Sequence, residues 1–99
     1  MAYRIYFSPE AGDHIALLSA HHRAKLLNAV ARQLGHEPSV ETRNRRPLRP
    51  NPVAQYRLRI GELRVYYDVQ EAPERLVIVR AVCMKVRNRV YVGRQEIKL

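Results

Sequence analysis

Residues 55–69, QYRLRIGELRVYYDV, constrain the fold more than any other stretch. Tyr56, Leu58 and Ile60 alternate with Arg57 and Arg59, and Leu63, Val65, Tyr67 and Val69 then alternate with Arg64, Tyr66 and Asp68. Period-two alternation marks half-buried strands. Gly61-Glu62 between the runs is a two-residue connection whose glycine accepts positive φ, so the stretch predicts a tight antiparallel hairpin. Side chains two apart share a strand face. Tyr56, Leu58 and Ile60 therefore join Leu63, Val65 and Tyr67 against a core, while the arginines line the other side.

Ninety-nine residues, 46% of them hydrophobic, make one domain with a modest core, spanning residues 1–99. The 18 Lys and Arg against 9 Asp and Glu leave a net charge of +9, which points to a polyanionic partner: nucleic acid, a ribosome or an acidic protein. No apolar run approaches the roughly 18 residues of a spanning helix, and the N-terminus carries no signal-peptide pattern, so no membrane partner is expected. The single cysteine, Cys83, cannot form an intramolecular disulfide and fits a reducing cytoplasm. It lies within an apolar run, as a buried structural thiol does.

Taken in order, Tyr3-Arg4-Ile5-Tyr6-Phe7 alternates and reads as a first strand. Ser8-Pro9-Glu10 supplies an N-cap, a first-turn proline and an early acid, which together open a helix. Ile15 and Leu18 lie on its inner face, near Ala11 and Ala16, and Asp13 and His14 are expected to face water. A second helix is predicted from about Ala20 to Leu34, with Leu26, Leu27, Val30, Ala31 and Leu34 as its apolar stripe and Gly35 as its stop. The pattern leaves open whether the chain bends at Ser19-Ala20 or continues as one helix; a helical hairpin or a kinked pair is expected.

Residues 36–54 hold four prolines and four arginines and read as a long loop. Arg43, Arg45, Arg46 and Arg49 cluster there, where solubility and phosphate contact are both open readings. Beyond the hairpin, residues 71–74 form a turn, and residues 76–84 are an almost continuous apolar run that reads as a central strand covered on both faces. Lys85, Arg87 and Arg89 restore charge, and Val90-Tyr91-Val92-Gly93 reads either as a short final strand or as a fraying tail. The order β-α-α-β-β-β predicts an α+β fold with two N-terminal helices packed on one face of a small antiparallel sheet.

The hairpin, with Arg46-Pro47-Leu48 before it and Lys85 and Tyr91 after the central strand, resembles the RelE/ParE superfamily of toxins from type II toxin–antitoxin systems, on its RelE-like branch. The resemblance extends over nearly the whole chain. It implies a toxin that inhibits translation as a ribosome-dependent mRNA interferase: an endoribonuclease that cleaves messenger RNA in the ribosomal decoding site and is silenced by a cognate antitoxin. In that reaction the ribose 2′-hydroxyl attacks the adjacent phosphorus without a metal or other cofactor, leaving a 2′,3′-cyclic phosphate and a free 5′-hydroxyl. A group must take the 2′-hydroxyl proton, another must hold charge in the transition state, and a third must protonate the departing 5′-oxygen.

By motif the resemblance carries these roles onto Arg57, Arg59, Arg64, Lys85 and Tyr91. Arg57 and Arg59 suit phosphate gripping, Arg64 suits transition-state stabilisation, and Tyr91 suits orienting the 2′-hydroxyl or stacking on a base. Arg45, Arg46, Arg49, Arg87 and Arg89 are further RNA-contact candidates, and Tyr66 is the hairpin tyrosine expected to be free to meet RNA. The chain has arginines where RelE toxins often have lysines, and Lys85 where they have arginine. Arginine is a poor general base. Lys85, with its pKa expected to fall among neighbouring cations, is then the titrating acid or base and Tyr91 its partner.

The resemblance also covers ParE-like proteins, which share the fold and poison DNA gyrase, and a non-catalytic RNA- or ribosome-binding module is a third reading. Arg59 and Arg64 can equally pair with Asp68 or Glu62 across the strands. His21 and His22 are adjacent on a helix and point apart, and His14 and His36 have no partners at ligand spacing, so no metal site is expected. The partner expected from the charge is an antitoxin that folds an acidic segment over the cationic face or the helices.

Overall fold

The computed structural model describes residues 2–87, 89–92 and 95–97. Asn88 and Gly93, the latter assigned above to a final strand, lie outside the described residues. Strand β1 spans Arg4–Phe7, helix α1 Pro9–Ala16 and helix α2 Ala20–Leu34. The strands that follow are β2 (Arg45–Pro47), β3 (Tyr56–Ile60), β4 (Leu63–Gln70), β5 (Leu76–Val86), β6 (Arg89–Val92) and β7 (Gln95–Ile97). They form one sheet in the order β2-β3-β4-β5-β6-β7, antiparallel throughout except that β1 pairs parallel to β5. The two helices pack on one face, so the α+β reading holds.

Each helix starts at its own serine. Ser8 Oγ accepts from the Ala11 N–H at 3.1 Å and Ser19 Oγ from the His22 N–H at 3.1 Å, each satisfying a donor that the first helical turn leaves without a partner. The second cap settles the open question at Ser19-Ala20: there are two helices. Arg23 closes the joint by donating to the Leu18 carbonyl at 3.0 Å. The buried stripe of α2 is Leu26, Ala29, Val30 and Leu34, whereas Leu27 and Ala31, both expected inside, are exposed. Gly35 ends the helix with φ −75°. Its need for glycine is steric, since a Cβ there would stand 2.8 Å from the Ala31 carbonyl oxygen.

The hairpin forms as its alternation demands, with Gly61 at φ +58° and Leu58 opposite Val65 and Ile60 opposite Leu63. Leu58, Ile60, Leu63, Val65 and Tyr67 meet Leu26, Val30 and Leu34 of α2 and Val77, Val79 and Val82 of β5 in the main core. Each such buried aliphatic side chain contributes about 1.5–3 kcal/mol. Tyr56 stacks on Tyr67 at 5.4 Å between ring centroids; Tyr67 is a core residue as expected, and half-buried Tyr56 packs against the core from its edge.

β5 is central, as its apolar run predicted, and it carries a bulge. Tyr66 pairs with Ala81 but Tyr67 with Val79, leaving Arg80 as the extra residue. The bulge resets the alternation. Val77, Val79 and Val82 face the helices, while Ala81 and Cys83 pack on the opposite side with Ala54 and Tyr66. Along the other edge of β5, β1 covers residues 76–79 and β6 covers 84–86, and helix α1 fills the gap between them. Ser8 Oγ donates to the Arg80 carbonyl at 3.2 Å, and His14 Nδ1 accepts from the Val82 N–H at 3.1 Å. His14 is therefore half-buried and structural, contrary to its expected place in water.

Part of the 36–54 loop is also ordered otherwise than expected. Residues 45–47 form the edge strand β2, because Arg45, Arg46 and Pro47 pair with Leu58, Arg57 and Tyr56. The proline is tolerated where no further strand needs its missing N–H.

Candidate functional site

The sheet face away from the helices carries the basic residues in two rows. In the first, Arg46 of β2 stands opposite Arg57 of β3, Arg57 opposite Tyr66 of β4, and Tyr66 opposite Ala81 of β5. In the second, Arg59 stands opposite Arg64 and Arg64 opposite Cys83. Lys85, two residues beyond Cys83, extends this face, and its backbone N–H donates to the Glu62 carbonyl at 2.7 Å. Lys85 thus belongs to the end of β5 rather than to the segment after it.

Each guanidinium is held differently. Arg59 donates through Nε and Nη2 to Asn44 Oδ1 at 3.4 and 3.2 Å, and its N–H bonds the Asn44 carbonyl at 2.8 Å. Arg64 is buried at 8% exposure and anchored through Nη1 to the Gly61 and Leu63 carbonyls at 2.7 and 2.9 Å. The hairpin turn that sets the register therefore also aims this cation. The Arg57 guanidinium makes no hydrogen bond or ion pair among the described residues, and its Nε is buried. The pairing of Arg59 or Arg64 with Asp68 or Glu62 does not occur: Asp68 instead accepts from Arg80 Nε at 2.9 Å and from the Gln55 N–H at 2.8 Å.

Crowding cations without carboxylates has an electrostatic consequence. Burial, then Arg46 and Arg59, lowers the pKa of Arg57, and burial, then Arg57 and Arg59, lowers that of Arg64. An anion bound here would relieve the repulsion. Burial raises the pKa of Tyr66 and pushes the Cys83 thiol up to about 11, so Cys83 stays a protonated core residue.

No family model matches the sequence, and no curated protein does. Solved structures do. A chain of the toxin-antitoxin complex RelBE2 from Mycobacterium tuberculosis superposes with a TM-score of 0.69 at 22% identity, covering 86% of this chain and all of that one. A chain of the archaeal RelE-RelB complex from Pyrococcus horikoshii OT3 gives 0.68 at 21%, covering 88% of this chain and 99% of that one. The chain has the RelE fold.

Not all the residues expected of a RelE-like site meet on this scaffold. Arg46, Arg57, Arg59, Arg64 and Lys85 share the open face, and exposed Arg49 stands at its rim beside Leu48 and Pro50. Tyr91 does not join them. It pairs with Met84, whose side chain packs against the main core, and it lines a small cavity with His14, His22 and Val82 on the helix side. Lys85 and Tyr91 are therefore no acid–base pair. Arg89 shares that side, 3.8 Å from Glu96. Arg87 occupies the β5–β6 turn with φ +58°.

Two further expectations fail for packing reasons. Arg45 stands opposite Leu58 and so points under the helices, where Nη1 donates to the Gln33 carbonyl near the end of α2. It is a helix-terminal anchor, not an RNA contact. Tyr66 is 3% exposed, covered by the 48–54 segment, and is not free to meet RNA as a surface aromatic. Sequence reasoning missed Asn44, whose only signal is a polar amide among arginines.

Among the described residues no group of three or more His, Cys, Asp or Glu could hold a metal ion. No described helix is long and apolar enough to cross a membrane.

Proposed function

We propose that this chain is the toxin of a type II toxin–antitoxin system and acts as an mRNA interferase on the ribosome. One observation carries the reading: Arg46, Arg57, Arg59 and Arg64 share one sheet face with Lys85, and none of the four guanidiniums has a carboxylate within ion-pair distance among the described residues. Guanidinium forks unopposed by carboxylates suit phosphate oxygens. The likeness to solved RelE chains supports the toxin role and an antitoxin partner.

In this mechanism Arg57 and Arg59 hold the backbone phosphates on either side of the scissile bond. Arg64, fixed by the turn carbonyls, meets the charge that builds on the non-bridging oxygens as the 2′-oxygen attacks phosphorus. A preorganised donor of this kind is worth about 2.7–4 kcal/mol in the transition state. The P–O5′ bond breaks, and the proton lost by the 2′-hydroxyl is balanced by one gained at the 5′-oxygen. Lys85 is the one side chain of the set able to exchange a proton, since arginine stays protonated. The antitoxin would neutralise the same face with an acidic segment that folds on contact.

The test is induction of the wild-type chain and of Arg64→Ala in a bacterial host, with growth measured and mRNA 5′-ends mapped. New 5′-hydroxyl ends within translated frames, absent in the variant, support the interferase. Growth arrest with intact mRNA and broken DNA would replace it by a gyrase poison, and no arrest by a binding module.

A further inference from the structure

The 48–51 segment roofs a cavity of about 390 Å³ beside the arginine rows, lined by Leu48, Arg49, Pro50, Asn51, Arg57 and Tyr66. That volume lies within the range of small-molecule sites, about 300–1,000 Å³. Its walls are largely apolar: Leu48 packs with Tyr66 on the cluster of Ala54, Ala81 and Cys83, and Pro50 adds a rigid ring. Asn51 spends its amide on the loop itself. Its Oδ1 accepts from the Val53 and Ala54 N–H groups at 2.8 and 3.1 Å, and its Nδ2 donates to the Arg49 and Ala54 carbonyls at 2.7 and 3.0 Å. The roof is thus preformed, and Asn51 has no capacity left for a ligand.

The side-chain polar groups left without partners at the cavity, among the described residues, are the Arg57 guanidinium and the Tyr66 hydroxyl within it and the guanidinium of exposed Arg49 at its rim. An apolar slot with one unopposed guanidinium inside it and a second at its rim suits a flat, acceptor-bearing ring. The adjoining Arg46, Arg59 and Arg64 fix the kind of molecule that brings such a ring, because they would hold the phosphates of a polynucleotide strand. Guanine presents two adjacent acceptors, O6 and N7, to a guanidinium fork, whereas adenine offers one acceptor and one donor; cytosine offers O2 and N3 on a single strand, but its one ring covers less of the apolar wall than a purine does.

We propose that this cavity receives one guanine base of the bound RNA, inserted beside Tyr66 under Leu48 and Pro50 and read by Arg57. The inference deepens the interferase reading and rests on it for the identity of the strand. In place of the backbone phosphate given to it above, Arg57 then holds the base next to the scissile phosphate, and the cavity sets the sequence preference while Arg59, Arg64 and Lys85 address the phosphate.

Two measurements test it. The first is fluorescence-anisotropy binding of the purified chain to uncleavable 2′-O-methyl oligouridylates carrying a single central G, A, C or U. The second is the base preference at mapped 5′-ends in cells. The wild-type chain should favour the G probe about tenfold over the A probe. Arg57→Gln should reverse that order, because a carboxamide matches adenine N6 and N7, while Leu48→Trp should fill the cavity and level the four probes. A ratio between probes does not move when a variant merely loses folded protein. Equal affinity of the wild-type chain for all four probes, or a G preference untouched by either substitution, would overturn the inference. Cleavage in cells without base preference would overturn it and leave the interferase reading standing. Base-selective binding without cleavage would do the reverse.

Discussion

Arg45 and Arg46, adjacent in sequence, serve opposite faces of the sheet: Arg45 donates to the Gln33 carbonyl beneath α2, and Arg46 stands opposite Arg57 on the open face. The two substitutions therefore separate. Arg45→Ala leaves a buried helix-terminal carbonyl without its donor and should cost about 1–3 kcal/mol, lowering Tm by roughly 4–8 °C per kcal/mol in a domain of this size. Arg46→Ala should change stability by no more than about 0.5 kcal/mol. It should reduce the slope of log binding constant against log salt for an RNA oligonucleotide by about one. Urea titration and a salt series check both.

Asn44 positions Arg59 by accepting from its guanidinium. Asn44→Ala should weaken RNA binding modestly through a freed Arg59. Asn44→Asp keeps the acceptor but sets a carboxylate against the guanidinium. The aspartate variant should therefore fold at least as stably, by about 0–1 kcal/mol, yet bind RNA more weakly than the alanine variant, as read by anisotropy. Equal binding by all three proteins would remove Arg59 from the phosphate contacts.

His14 makes stability depend on pH. Burial lowers its pKa from 6.5, against the opposing pull of Asp13 and Glu10, and Nδ1 must stay unprotonated to accept from Val82. The unfolded chain then binds a proton that the folded chain refuses. The contribution is complete above about pH 6.5 and is lost as pH falls through the depressed folded value. Urea midpoints measured from pH 8 to pH 5 should fall, and His14→Gln should flatten that part of the profile.

The Tyr67 hydroxyl donates to the Pro38 carbonyl at 2.6 Å in the interior, tying the 36–44 segment to the core. Tyr67→Phe should destabilise by about 1–3 kcal/mol through the stranded carbonyl. Tyr56→Phe, on the half-exposed partner of the stack, should stay within about 0.5 kcal/mol.

Tyr91 lies across the sheet from Arg64, so Tyr91→Phe should leave mRNA cleavage within about threefold of wild type, whereas Arg64→Ala should reduce it about 10²–10³-fold. The comparison is made at matched expression by 5′-end mapping. A loss in Tyr91→Phe comparable to that in Arg64→Ala would bring Tyr91 back to the chemistry.

The hairpin, the two helical stretches and the central strand were legible in the sequence because each is written in local periodicity and in local start and stop signals: alternation at residues 56–69, the serine cap at 8, glycine at 35 and 61; the cap at Ser19 that separates the helices was not read there. The sharing of one face by Arg57, Arg59 and Arg64 was legible for the same reason. The side taken by residues beyond the bulge was not. Arg80 inserts one residue into β5, which brings Val79 and Val82 to the same face, and the short β6 then inherits its side from Met84 opposite Tyr91. Likewise, Arg45 and Arg46 look alike in a loop of four arginines until pairing with β3 sends one inward and one outward. Local pattern determines which side chains on one element share a face, since that follows from backbone geometry alone. Which face meets the helices, and which cations lack a carboxylate, is decided only when distant strands pair, since register is a property of two segments.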